Sequence, residues 1–349
     1  MKRLMLLLML VSTCSLVCAQ QQVAAEKLVK EGIQLHDKGD YDGAIKKYDA
    51  ALILDEANLL ALAEKALSLL TEKKFDESVK VCKIAIRNHP GEAQLTTIYL
   101  TYGNALDELK QTDKALSIYD DGIKKFPTFY QLYFNKAITL ERLQKHDEAL
   151  ICLQKSASLK PNHPSSHNLI GRIQFDKNQR IQSLMALCRF MTLEPMTDRA
   201  KENLKSIQTL IKGNVEKTGD KSIAINVDPA TLANPKENSF TTQELILSAA
   251  AALDNDPKYA NKTTVEQFIR KFDNVCASLK ENKATNSGFY WDYYAPYFIE
   301  MKDKQMIETF AYVSFASADM KDVAAWLNSH TADIQKFFDW SKAYAWTKI

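Results

Sequence analysis

The chain is poor in the residues that break helices: 349 residues contain only 10 glycines and 9 prolines. That rules out collagen-like and Gly/Pro-rich low-complexity architectures. It also lacks a charge excess. Forty-five Lys and Arg meet 43 Asp and Glu, a formal net charge of +2. A nucleic-acid partner would need a clustered basic surface, and none is visible. There is no Gly-rich phosphate loop, no nucleophile elbow, no His-Glu-x-x-His and no Cys-x-x-Cys. Asp254, Asp256 and Asp292 are scattered carboxylates suited to solvated or capping roles. No catalytic residue, metal ligand or cofactor is therefore assigned. After residue 19 no run is long and apolar enough to span a bilayer. What remains, 46% hydrophobic and 25% charged, is enough for more than one packed domain.

The N-terminus has the form of a secretory signal over residues 1–19. Lys2 and Arg3 give a positive start, and Leu4 to Val17 is apolar but short for a bilayer span. Val17-Cys18-Ala19 offers a small-residue cleavage site, with Gln20 as the new N-terminus. Lipidation at Cys18 is disfavoured because Val17 stands where a lipobox wants a small residue. The expectation is an exported chain, periplasmic or secreted. Four cysteines outlast processing: Cys82, Cys152, Cys188 and Cys276. Cys82 and Cys152 fall two repeat units apart, roughly 20 Å if helices are spaced about 8–10 Å, and a disulfide needs Cα atoms within about 7 Å. Buried single thiols are expected, with pairing of Cys276 left open.

The strongest signal is a pattern that returns every 34 residues, with one three-residue insertion at Ala93–Leu95. Gly32, Ala66, Gly103, Ala137 and Gly171 share a phase. Twelve residues on stand Ala44, Ser78, Ala115, Ala149 and Ser183. Twenty-four residues on stand Glu56, Pro90, Pro127, Pro161 and Pro195. Two helices that cross closely need small residues at the crossing, and a proline after the second helix stops it. Leu28, Leu62, Tyr99 and Tyr133 lie four before the first small position, and Leu35, Leu69, Leu106 and Leu140 three after it. Tyr48, Cys82, Tyr119, Leu153 and Leu187 supply the second helix. Each unit alone exposes an apolar face that stacking buries.

From Ala25 to Thr197 this frame resembles the tetratricopeptide-repeat family. Glu56 replaces the first proline, and the fifth unit departs at Gln174 and Phe190. The fold expected is all-α: an α-solenoid of five helix pairs over 20–197, a cap helix and linker over 198–222, and a smaller aromatic-rich helical domain over 223–349. Apolar Leu204, Ile207, Leu210 and Ile211 mark the cap. Because repeats contact only their neighbours, residues 20–212 are expected to fold without the remainder.

The resemblance implies a concave groove lined by the first helix of each unit. The positions facing it include Val29, Ile33, Leu60, Ala63, Leu67 and Leu70 in the first two units. Leu100, Asn104, Asp107, Phe134, Ile138 and Glu141 follow in the next two, then Asn168, Arg172 and Phe175. Leu67, Leu70, Leu100, Asn104, Phe134, Ile138, Arg172 and Phe175 form the candidate partner-binding set. An apolar floor with polar groups beside it marks an interaction surface, unless the chain's own tail or a second copy covers it. The family's carboxylate clamp, which grips acidic chaperone tails, is only half present. Asn104 and Asn135 fit it, but Leu100, Ser165 and Leu169 occupy the cationic places.

Beyond Gly213 the pattern changes. Ser222 to Asp228 alternates like a strand and is expected to serve as an extended arm. Thr241 with Glu244, and Thr263 with Glu266, announce helices. Helical spacing continues over 291–301, 305–315, 320–327 and 334–344. All four tryptophans, Trp291, Trp326, Trp340 and Trp346, lie here. The run from Phe289 to Phe298 is too dense in rings for one helix face, so part of Tyr290, Tyr293, Tyr294 and Tyr297 is expected at the surface as an alternative patch. His163 and His167 are four apart, but Pro164 intervenes and His167 falls on a core-type position. The function expected is non-enzymatic: a scaffold of a bacterial envelope that binds a polypeptide in the groove, with a homo-oligomer compatible with the sequence. The alternative is a C-terminal domain that binds or hydrolyses a small molecule or glycan, with the repeats as a docking arm.

Overall fold

The computed structural model describes residues 2–213, 215–218, 223–225, 238–259 and 261–348. It forms two compact units, Met1–Lys145 and His146–Ile349.

The first unit is a run of antiparallel helices: α1 (Lys2–Asp37), α2 (Tyr41–Leu54), α3 (Leu59–Thr71), α4 (Phe75–Asn88), α5 (Leu95–Glu108), α6 (Thr112–Lys125) and α7 (Tyr130–Arg142). Each packs on its neighbour in sequence. The first helices of successive repeats, α1, α3, α5 and α7, also touch one another. The small residues sit where the repeat arithmetic places them. A Cβ on Gly32 would lie within 2.9 Å of the Tyr48 ring, and one on Gly103 within 2.7 Å of the Tyr119 ring. Each tyrosine is sixteen residues on, pressed flat over the bare backbone. Ser78 turns the crossing into a bond, donating from Oγ to the Ala66 carbonyl at 2.8 Å.

The turn inside each repeat has one geometry. Gly39, Lys73 and Lys110 have φ of 82°, 63° and 61°, and Gln144 has 59°. The residue after each donates its N–H back to the preceding helix, from Asp40 to Leu35, Lys74 to Leu69, Gln111 to Leu106 and Lys145 to Leu140, at 2.8–3.0 Å. This is the Schellman closure, which satisfies carbonyls left open at a helix end. Only the first repeat uses glycine for it. The three-residue insertion is taken up largely between α4 and α5, where Gly91 has φ of 92°.

The second unit begins with α8 (His146–Leu159), α9 (Pro164–Asp176), α10 (Arg180–Leu193) and α11 (Asp198–Ile211). Gly171 again faces a side chain sixteen residues on, Leu187, and Ser183 Oγ donates to the Gly171 carbonyl at 2.8 Å. A two-stranded antiparallel hairpin follows, β1 (Val215–Lys217) with β2 (Ile223–Ile225), Val215 opposite Ile225. The expected arm is thus half a hairpin, although Ser222 and Asn226 to Asp228 lie outside the described residues. Next come α12 (Thr241–Ala252), α13 (Thr264–Asn282), a π turn at Tyr290–Tyr294, α14 (Ala295–Asp303), α15 (Ile307–Ser314), α16 (Lys321–Ser329) and α17 (Thr331–Ala343).

Helix α10 is the axis of this unit. Every residue from Arg180 to Thr192 is buried. Helices α9 and α11 pack on it, and so do α12, the π turn and α15. The C-terminal helices therefore share a core with the last repeats and do not stand apart after residue 222. This also bears on the expectation that 20–212 folds alone: such a chain would leave α10 uncovered along one side. Its polar residues meet partners from far along the chain. Arg180 pairs with Glu244 at 2.9 Å and donates to the Leu210 carbonyl at 2.6 Å. Glu244 is thereby drawn away from helix capping, and α12 starts behind Phe240 with no side-chain cap. The Thr263–Glu266 box does form at the start of α13.

Candidate functional site

An open cleft of 420 Å³ lies in the first unit. Leu70 and Thr71 reach it from α3, Asn104, Asp107 and Glu108 from α5, and Asn135, Ile138 and Arg142 from α7. Lys73, Phe75 and Tyr119 complete the lining. Alternating helices supply most of it because the first helices form a layer, with α2, α4 and α6 closing the gaps between them.

The polar groups form an ordered set. Tyr119 presses on Gly103 and so carries its hydroxyl to Asn104, donating to Oδ1 at 2.7 Å. Burial raises the Tyr119 hydroxyl pKa, keeping it a neutral donor. Asp107 is 8% exposed. It accepts from Thr139 Oγ1 at 2.7 Å and pairs with the Arg142 guanidinium, tying α5 to α7. Asn135 donates to the Gln131 carbonyl at 3.0 Å. Around these stand apolar side chains that the core has not absorbed: Leu67 and Ile138 remain 39% and 37% exposed.

Of the candidate set, Leu70, Asn104 and Ile138 line this cleft. Leu67 is exposed nearby on α3, and Leu100 and Phe134 are half-buried on α5 and α7. Arg172 is exposed and Phe175 half-buried, both on α9 of the second unit. Val29, read as a groove position, is instead closed into the core with Ala25, Ala44 and Tyr48. Tyr119, Phe75 and Arg142 contribute without having been proposed. The signal for Tyr119 was its place sixteen residues after Gly103, where a ring lying over glycine must carry its hydroxyl beyond the crossing.

The alternative patch is not at the surface. Tyr290 is 2% exposed, and Tyr293, Tyr294 and Tyr297 are 0%. Two causes combine. The π turn widens the helix at Tyr290–Tyr294 and changes the phase of the rings, and elements cover the segment from more than one side. Each phenol keeps a partner, which makes burial affordable. Tyr290 OH accepts from Gln174 Nε2 at 2.5 Å, and Tyr293 donates to the Ala157 carbonyl at 2.8 Å. Tyr294 bonds His167 Nδ1 at 2.7 Å, and Tyr297 bonds Ser341 Oγ at 2.8 Å. Gln174, the polar departure in the fifth repeat, is there to meet Tyr290. Asp292 accepts from the Gly288 N–H at 3.0 Å and pairs with Lys283 at 2.9 Å, a capping role.

His167 is fully buried, with Nε2 donating to the Pro161 carbonyl at 2.9 Å. Burial, aided by the neighbouring Arg189 cation, pushes its pKa down to about 3. Among the described residues no group of His, Cys, Asp and Glu is arranged to hold a metal ion. Cys82, Cys152, Cys188 and Cys276 are all buried free thiols, and burial pushes Cys82 up to about 12. Among the described residues no helix is long and apolar enough to cross a membrane.

Two tetratricopeptide-repeat family models match the chain, over residues 29–93 and 130–163. The chain is 26% identical over 129 residues to the STIP1 homolog of Dictyostelium discoideum, 36% of this chain and 23% of that one. It is 24% identical over 210 residues to the Hsp70-Hsp90 organizing protein of Triticum aestivum, 59% of this chain and 36% of that one. These matches span well under half the length of either relative. Among solved structures, a thermophilic tetratricopeptide-repeat protein of Thermus thermophilus is similar at 17% identity and a TM-score of 0.45, covering 53% of this chain and 99% of its own.

Proposed function

We propose that this chain, a tetratricopeptide-repeat protein, is a non-enzymatic scaffold that holds another polypeptide against the first helices of its N-terminal repeats. The observation that carries the reading is the cleft over α3, α5 and α7, where exposed Ile138 and half-buried Leu70 flank the fixed polar set of Asn104, Asp107, Asn135 and Arg142. Apolar anchors beside ordered hydrogen-bonding groups suit a peptide or an amphipathic helix. One relative is named an Hsp70-Hsp90 organizing protein, but Leu100 stands at a lysine place of the family's carboxylate clamp, and the Arg142 guanidinium in the cleft is already paired with Asp107. The expected ligand has apolar anchors instead.

The reading is tested by capture with the mature protein as bait. Leu67→Asp with Ile138→Asp changes two exposed side chains, so the fold should survive while a charge enters the apolar floor. Loss of the captured polypeptide with an unchanged melt supports the groove; equal capture by both proteins overturns it. The residues 1–19 signal points to export into a bacterial envelope. Intact-mass analysis of the exported chain should give a start at Gln20 without lipid, and a retained signal or a lipid on Cys18 would contradict this.

A further inference from the structure

Among the described residues, the second unit buries a cation that no acid balances. Arg189, at the centre of α10, is 0% exposed. Its Nη1 donates to Ser341 Oγ at 2.9 Å, and its Nη2 to Asn162 Oδ1 at 2.7 Å and the Pro161 carbonyl at 3.2 Å. Nε has no partner. Among the described residues no carboxylate pairs with it. A buried cation without a counter-ion is costly, and a buried N–H left unbonded adds to that cost.

What covers the guanidinium is a ring from the segment that follows α17. After α17 stops at Ala343, the backbone leaves helical geometry and Trp346 turns back into the unit. Its ring lies 4.7 Å from the guanidinium carbon of Arg189, stacks on Tyr297 at 4.9 Å, and meets Tyr293 at 4.6 Å. The hold is lopsided. Among the described residues, Ala345 to Lys348 make no hydrogen bond, and Ala345, Thr347 and Lys348 are exposed. The indole N–H of Trp346 is buried and unbonded. A cation–π contact offsets part of Arg189's desolvation, but an anion would do so more fully.

We propose that Trp346 is a displaceable internal occupant of a binding pocket for a small aromatic carboxylate, whose ring would lie against Tyr293 and Tyr297 and whose anion would face Arg189. His167 suits this arrangement because it is neutral and adds no second positive charge beside Arg189. The pocket is built by His167 on α9, Arg189 on α10, Tyr293 on the π turn, Tyr297 on α14 and Ser341 on α17, so its walls stay in place when the segment after Ala343 swings out. Among the described residues no carboxylate pairs with Arg189, so a cationic amine of the same shape would meet an uncompensated positive charge and be rejected.

The test uses the full chain and indole-3-acetate, which has the ring of Trp346 and a carboxylate, with tryptamine as the cationic control. In the wild-type protein, indole-3-acetate should move the Trp346 indole N–H resonance to its solvent-exposed position, and tryptamine should not. In Trp346→Ala the tail no longer competes, and indole-3-acetate should bind tenfold or more tightly than to wild type. A Trp346 resonance that stays in place up to about 10 mM probe, where even weak binding would register, overturns the proposal. So does equal binding of tryptamine. The wild-type titration decides the question even if Trp346→Ala melts early.

Discussion

Lowering the pH from 7.5 to 5.0 should weaken the second unit in part through His167. Its imidazole is enclosed by Tyr293, Tyr294 and Trp346, bonded at both nitrogens, and close to the Arg189 cation. The folded-state pKa is about 3, against about 6.5 in an unfolded chain. A group whose pKa is depressed by folding contributes its stability above the unfolded value and loses it as pH falls toward the folded one. Between pH 6.5 and 5 the loss is about 1.4 kcal/mol per pH unit, or about 2 kcal/mol in all. All four tryptophans lie in the second unit, so urea unfolding followed by tryptophan fluorescence reads that unit selectively. Other groups titrate too, so the informative quantity is the difference from His167→Gln, which keeps an N–H for the Pro161 carbonyl. The variant should be less stable at pH 7.5 but lose about 2 kcal/mol less on acidification. Equal pH slopes in the two proteins would refute the assignment of a buried neutral imidazole.

Two further substitutions probe the repeats. Gly103→Ala puts a methyl within 2.7 Å of the Tyr119 ring, overpacking the α5–α6 crossing at a cost of about 1–3 kcal/mol. Thermal melting followed by circular dichroism should fall by several degrees, and an unchanged melt would mean the crossing is loose. Lys110→Gly removes a side chain from a left-handed backbone at φ of 61° on an exposed turn. The left-handed penalty of about 1–2 kcal/mol outweighs the entropic cost of glycine, about 0.5–1 kcal/mol, so the melting temperature should rise slightly; a fall would mean the lysine side chain is holding the turn.

The repeats were legible because their physics is local. Two helices joined by a short turn can cross closely only where Gly32 or Gly103 leaves room, and the ring that fills the room must come sixteen residues later. The second unit was not legible in the same way. Helix α10 carries Arg180, Gln182 and Arg189, residue types usually found at a surface, yet it is buried from Arg180 to Thr192. The side chains that satisfy it, Glu244, Tyr297 and Ser341, arrive from 64 to 152 residues away. No periodicity within α10 encodes those meetings. The aromatic run differs from its sequence expectation for a related reason: a regular helix would leave part of it exposed, and the π turn changes the phase. Gln174 and His167 held the missing clue. Polar residues at core-type positions imply a covering partner with hydroxyls, and Tyr290 and Tyr294 provide them. In the cleft, Asp107 and Asn104 could be placed by repeat position, but their ties to Arg142 and Tyr119 needed the folded chain.

A polypeptide lying along the first helices of the N-terminal repeats would be within reach of a photo-crosslinker placed there: a benzophenone side chain at Ile138, which lines the cleft and is 37% exposed, compared with one at Ile53, which is 84% exposed on α2. In cells that make the protein, the probe at 138 should give a discrete crosslinked polypeptide, one that Leu67→Asp abolishes, while the more exposed probe at 53 gives none. Crosslinks from 53 alone, or equal products from both, would mean that no polypeptide lies in the groove.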